Sequence, residues 1–153
     1  MDCIGIKPSG EYFGYIDSLQ IEWIEQDISK IDKETPIALI THIPFVSIGL
    51  QMYFGPTAAF SDNEVVTNAL DVLDIFKDHN LKLVLQGHLH IVEEVIYKDV
   101  HFITGGAVSG KWWQGPREGF EEGYILIEVD GDEFNWGYID YGWNVSLEHE
   151  GDS

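Results

Sequence analysis

Apolar side chains recur along this chain at two different spacings, and the switches between them mark its elements. Ile21, Ile24, Ile28 and Ile31 follow at helical spacing after Asp17-Ser18-Leu19-Gln20, where a capping side chain precedes a Gln by three residues, so a helix over about residues 18–31 is expected. Pro36 to Thr41 is a continuous apolar run of strand length, the pattern of a strand covered on both faces. Ser61-Asp62-Asn63-Glu64 spells a capping box, and Val66, Ala69, Leu70, Leu73 and Phe76 then form one stripe, which predicts a second helix ending near His79-Asn80. Leu81 to Leu85 reads as a strand again. A short opening strand, Cys3-Ile4-Gly5-Ile6, runs into a turn at Pro8 and Gly10. Residues 43–60 set Pro44, Gly49, Gly55 and Pro56 among Phe45, Met52, Tyr53 and Phe54, the composition of a long structured loop.

After Ile91 the pattern changes to short strand-like pieces at 91–97, 100–104, 123–129 and 133–140. Asp99, the Gly105-Gly106 region and Asp130-Gly131-Asp132 separate them, and Asp-Gly between apolar runs signals a hairpin. The predicted order is strand, helix, strand, helix, strand, then a β meander: an α/β domain over residues 1–143, followed by an acidic tail at 144–153.

Composition adds limits. At 153 residues and 44% hydrophobic content, one domain with a real core is the default. Eight Lys and Arg face 27 Asp and Glu, a formal charge of −19 that repels a nucleic-acid backbone and therefore excludes general nucleic-acid binding. The same field opposes small phosphate esters, so any phosphate-handling site here needs local cations, most simply bound metal ions. The single cysteine, Cys3, rules out an internal disulfide. No apolar run reaches the roughly 18 residues of a membrane-spanning helix, so no membrane partner is expected.

Three of the six histidines stand where apolar strands run out: His42 after PIALIT, then His88 and His90 after LKLVLQ. Ligands gather at the C-terminal ends of strands in parallel α/β sheets, so two such strands can bring these imidazoles together. Gly87 offers a sharp turn before His88, and an extended segment would direct the i, i+2 pair His88 and His90 toward one region. Imidazole suits Mn, Fe, Zn or Ni alike. His79, His101 and His149 fall at a helix end, inside a strand and in the tail, and do not join this group.

Thr41-His42-Ile43-Pro44-Phe45, followed after a helix by Leu85-Gln86-Gly87-His88-Leu89-His90, resembles the last two motifs of the calcineurin-like metallophosphoesterases, a lone His and a G-H-x-H. Gly14-Tyr15-Ile16-Asp17 leading to Gln20-Ile21-Glu22-Trp23-Ile24 is similar to another stretch of that family. The resemblance implies the C-terminal half of a four-layer α/β/β/α sandwich with two metal ions between its halves, which activate a water for in-line attack on a phosphomonoester or phosphodiester. By the same resemblance His42 and His88 would bind one metal and His90 the other. The family's Asp-x-His, Gly-Asp and Gly-Asn-His motifs do not precede His42. The expectation is therefore an internal or engineered start at Met1, one metal or none in this chain, and little hydrolysis in isolation; a non-enzymatic binding module on the same half-fold is the alternative.

Asp99-Val100-His101 and Gly131-Asp132 spell two of the missing motifs but come after the G-H-x-H, within strand-like sequence. Thr104 to Trp113 looks like a loop of a bacterial branch of the family, which would set Lys111, Trp112 and Trp113 at the substrate cleft or, equally, pack them over the sandwich edge. Asn144-Val145-Ser146 spells a glycosylation acceptor. Half a sandwich would leave one sheet face open, so a homodimer covering that face is expected.

Overall fold

A computed structural model describes residues 1–145. The order is β1 (Ile4–Ile6), β2 (Tyr12–Gly14), α1 (Ser18–Ile28), β3 (Ile37–Ile40), α2 (Gly49–Phe54), α3 (Ala69–Ile75), β4 (Leu81–Gln86), β5 (Glu93–Tyr97), β6 (Val100–Thr104), β7 (Gly123–Asp130) and β8 (Glu133–Asp140). The chain is mixed α/β, as its apolar pattern predicts. The 144–153 tail falls mainly outside the described residues, as do His149 and the last residue of the Asn144-Val145-Ser146 triplet.

The central sheet runs β3-β4-β6-β5, with β3, β4 and β6 parallel and β5 antiparallel at one edge. One face meets both longer helices: Leu39, Val84 and Phe102 form the core with Ile24 and Ile28 of α1 and Ala69 and Val72 of α3. Side chains alternate across a strand, so Ile40, Leu85, Ile103 and Glu94, which share one register row, lie on the other face. The β meander expected after Ile91 is two hairpins. The first inserts β6 beside β4; the second, β7–β8, lies over part of the outer face, where Phe134 meets His101 edge-on and Trp136 donates to Glu94. Its cover stops short of β3.

That accounts for one difference from the sequence reading. PIALIT was expected to be covered on both faces, yet β3 is an edge strand with Ala38 and Ile40 exposed, Ile40 at 62%. A second difference concerns the capping box. Ser61 and Glu64 make it, with Ser61 N donating to the Glu64 carboxylate at 2.9 Å, but the helix begins only at Ala69. Residues between them are tied elsewhere: Val66 N donates to Pro44 O, Thr67 N to Gly14 O, and the Asn68 side chain holds both backbone groups of Ile16. Tertiary bonds to β2 and to the loop after β3 take the donors and acceptors a helical turn would have used.

At α1 the local signals and the fold agree: Asp17 accepts from Gln20 N at 2.8 Å, and Ile24 and Ile28 are buried. No helix among the described residues is long and apolar enough to cross a membrane.

Candidate metal centre

Hydrogen bonding continues past the ends of β3 and β4, because Thr41 N donates to Leu85 O and Gly87 N donates to His42 O at 2.8 Å. This zips the residues after both strands into one line and sets His42 beside His88. The Nε2 of His42 lies 3.3 Å from Nδ1 of His88, with the rings nearly perpendicular at 77°. Two elements support the pair from behind. Cys3 Sγ accepts from Ile43 N, and the buried Gln86 side chain accepts from Phe45 N and Val46 N while donating to Val46 O and to Thr104 Oγ1. Thr104 in turn donates to Glu93, whose other oxygen accepts from Ile48 N. The loop leaving His42 is thereby fastened to β4, β5 and β6.

The G-H-x-H segment is not extended, contrary to expectation. His88 and His90 both adopt left-handed backbone, with φ of 71° and 59°, while Gly87 does not. Such torsions are uncommon outside glycine and store strain that the surroundings must overcome, a pattern concentrated at functional sites. The sharp turn falls on the histidines themselves, and as a result their rings diverge.

His88 Nε2 faces Asn63 O at 3.0 Å, whereas His90 Nδ1 faces Gly110 O at 2.7 Å and its ring lies against Trp112, 4.8 Å between centroids. A carbonyl oxygen only accepts, so each of these nitrogens carries the proton. In the neutral rings the lone pairs then sit on Nδ1 of His88 and Nε2 of His90. Burial of the half-buried His88 ring, followed by the neighbouring His42 and His90 charges, lowers its pKa from 6.5 against the opposing bond to Asn63, which favours the neutral form that can ligate.

The separation of the His42 and His88 nitrogens matches that of two ligands on one divalent ion. Two imidazole nitrogens each about 2.05 Å from a tetrahedral ion stand about 3.3 Å apart, which is the separation found here. His90 completes no cluster with them: among the described residues no group of three or more His, Cys, Asp or Glu side chains gathers closely enough to hold a metal. Its Nδ1–H···O=C bond is nonetheless the arrangement that orients a ligating imidazole.

The remaining candidate residues separate. Trp112 covers His90, Trp113 turns to Trp143 instead, and the exposed Lys111 makes no side-chain bond among the described residues. Asp99 occupies a hairpin turn with φ of 62°, and His101 pairs with Glu94 at 2.7 Å. Gly131-Asp132 joins β7 to β8. Among the described residues none of these makes a hydrogen bond, ion pair or ring contact with His42.

Sequence reasoning missed Asn63, whose contribution is a backbone oxygen and so leaves no residue-type signal. It also missed Glu122, 1% exposed, whose Oε1 has no hydrogen-bond partner and lies where a Cβ on Gly110 would be 2.7 Å away. Glu122 thus stands directly behind the loop that carries the His90 acceptor.

No protein-family profile and no curated protein matches this chain in sequence. Nine solved chains match its structure. One is a dimetal phosphatase from Danio rerio, with a TM-score of 0.57 and 16% sequence identity over 82% of this chain. The fold is therefore shared with a dimetal phosphatase, and this chain spans 36% of that protein's length.

Proposed function

We propose that this chain is the C-terminal, histidine-bearing half of a metal-dependent phosphoesterase. His42 Nε2 and His88 Nδ1 hold one Mn, Fe, Zn or Ni ion, and His90 Nε2 belongs to a second. The reading is carried by the 3.3 Å approach of the two rings at the ends of adjacent parallel strands, and the likeness in fold to a dimetal phosphatase supports it. An ion at that place supplies Lewis acidity, lowering the pKa of a water toward ~7 and offsetting charge on phosphoryl oxygens.

The chain's own residues do the positioning. Asn63 O and Gly110 O fix which nitrogen of His88 and of His90 is free, burial keeps His88 neutral, and the Gln86 network keeps the His42 loop in register. The acidic surface makes the metals the attractive centre for a small phosphate ester, and Trp112, packed on His90, borders that site. With two imidazoles brought together and no carboxylate joining them among the described residues, the chain alone binds metal weakly and hydrolyses little.

Metal content after dialysis against Zn or Mn is the first test. At equilibrium with excess metal, wild type should hold up to one ion per chain and His88→Ala markedly less; equal metal content in both removes the ligand assignment. The coding sequence immediately before Met1 tests the enzymatic half of the reading. In-frame Asp-x-His and Gly-Asn-His motifs are expected, and their absence would leave a metal-binding module without hydrolase chemistry.

The open strip of the outer sheet face at β3 is the proposed seat of a homodimer, in which Ala38 and Ile40 of two copies cover one another.

A further inference from the structure

Eight Lys and Arg stand against 27 Asp and Glu in this chain, yet Lys77, Lys82 and Lys98 line one groove. It has a volume of about 550 Å³ and is bounded by α3 and its exit, the start of β4 and the β5–β6 hairpin. β4 and β6 are parallel and both begin here, so the groove lies at the opposite end of these strands from the histidines. At about 3.3 Å per residue, β4 sets roughly 16 Å between the two places.

Strand register explains why the groove is open and why it is charged. Lys82 stands two residues before Val84 and Val100 two before Phe102, so both share the helix-facing side of the sheet with those core residues, and Tyr97, paired with Val100, joins them. This row extends beyond the cover of α3, which leaves Tyr97 62% exposed and Leu70 on α3 81% exposed over a buried floor of Phe76 and Phe102. Lys77 is spent on Asp74 at 2.9 Å, whereas Lys82 and Lys98 make no ion pair among the described residues. Lys98 and Asp99 form the tight turn between Tyr97 and Val100, both in left-handed backbone, and Lys98 Nζ stands 5.3 Å over the Tyr97 ring. The groove thus carries three cations against two carboxylates, Asp74 and Asp99, in a chain whose acids otherwise far outnumber its bases.

We infer that this groove binds a small organic monoanion, an apolar body ending in one carboxylate. The carboxylate sits between Lys82 and Lys98, whose backbones are about 10 Å apart across β6, a span that two lysine side chains close around one group. The body lies along Leu70, Leu73 and Tyr97, taking out of water the apolar surface that α3 leaves uncovered. A concavity of this volume, apolar for the most part and with a few convergent charged groups, has the make-up of a small-molecule site. One negative charge suits it, because Asp99 at the rim and the net charge of −19 oppose a second. The groove shares no residue with the histidine site, so the inference does not rest on the phosphoesterase reading.

Octanoate is titrated into the full chain and followed by amide NMR, with octanol and acetate as controls for the charge and for the apolar body. A chelator is present, so that no metal at the histidines takes the carboxylate. Octanoate should shift the amides of residues 70–82 and 97–102 saturably and bind at least about fivefold more tightly than either control. The double variant Lys82→Gln, Lys98→Gln should bind it at least about fivefold more weakly, and Lys30→Gln on α1 as wild type does. Groove amides that stay unmoved, octanol binding as tightly as octanoate, or a folded double variant that binds like wild type overturns the inference. Groove amides that move with protein concentration instead of octanoate mean that a second copy fills the groove, which overturns it as well.

Discussion

At the scale of single residues, His88 carries the most. Its neutral form is favoured by burial and by the two nearby histidines, so its folded pKa lies below the 6.5 of an unfolded chain. Between 6.5 and that lower value the unfolded chain binds the proton more readily. In the presence of a chelator, stability should therefore be unaffected by this group above pH 6.5 and fall as pH drops through the window below it. Urea midpoints at pH 7.5 and 5.5 check this: His88→Gln should lose less between them than wild type, and an identical loss would show that His88 does not titrate abnormally. His42 and His88 were legible from sequence because a histidine just past an apolar strand is a pattern of residue types. Asn63 and Gly110 were not, because they act through carbonyl oxygens that every residue has. The divergence of His90 was hidden too, since nothing in G-H-L-H tells that the left-handed torsions fall on the histidines and not on the glycine.

At the scale of elements, β1 and the strands from β3 onward were read to within a residue or two and α1 was recovered with its cap, whereas β2 was not read and α2 lies in the stretch 43–60 that was read as a loop. The second helix was placed too early because its capping box closes a turn instead of starting a helix, and the bonds that decide this come from Gly14, Ile16 and Pro44, some 20 to 50 residues away. Burial of β3 was overread for a related reason: an apolar run does not reveal whether another layer lies over its outer face. These long-range ties give two predictions. Gly14→Ala would place a Cβ 2.2 Å from Val65 O, so it should cost about 1–3 kcal/mol and displace the segment that presents Asn63 to His88. Chemical denaturation together with the His88 ring signals reads both effects; unchanged stability would contradict the packing. Gln86→Leu leaves Phe45 N and Val46 N without an acceptor and should cost about 1–3 kcal/mol, with Zn retention reduced because the His42 loop is released. Wild-type retention in a folded Gln86→Leu protein would mean that the network does not position His42.

At the scale of the whole molecule, the fold pairs a one-sided helical core with an outer sheet face that the β7–β8 hairpin covers only in part. A homodimer across the β3 strip must overcome the repulsion of two strongly acidic chains, so raising salt should favour it as the Debye length falls to ~10 Å at 0.1 M. Sedimentation velocity at low and moderate salt should show the dimer fraction rising with salt and protein concentration; a monomer throughout would leave the strip without its proposed cover. The likeness in fold is to a dimetal phosphatase, and the proposed site of this chain rests on three imidazole nitrogens. The most direct measurement is cadmium-113 NMR of the protein carrying nitrogen-15 histidine. The account predicts cadmium–nitrogen coupling to His42 Nε2 and His88 Nδ1, with His90 Nε2 engaged only at higher cadmium. Cadmium that leaves all three ring signals unmoved, or couples to other nitrogens, would contradict it.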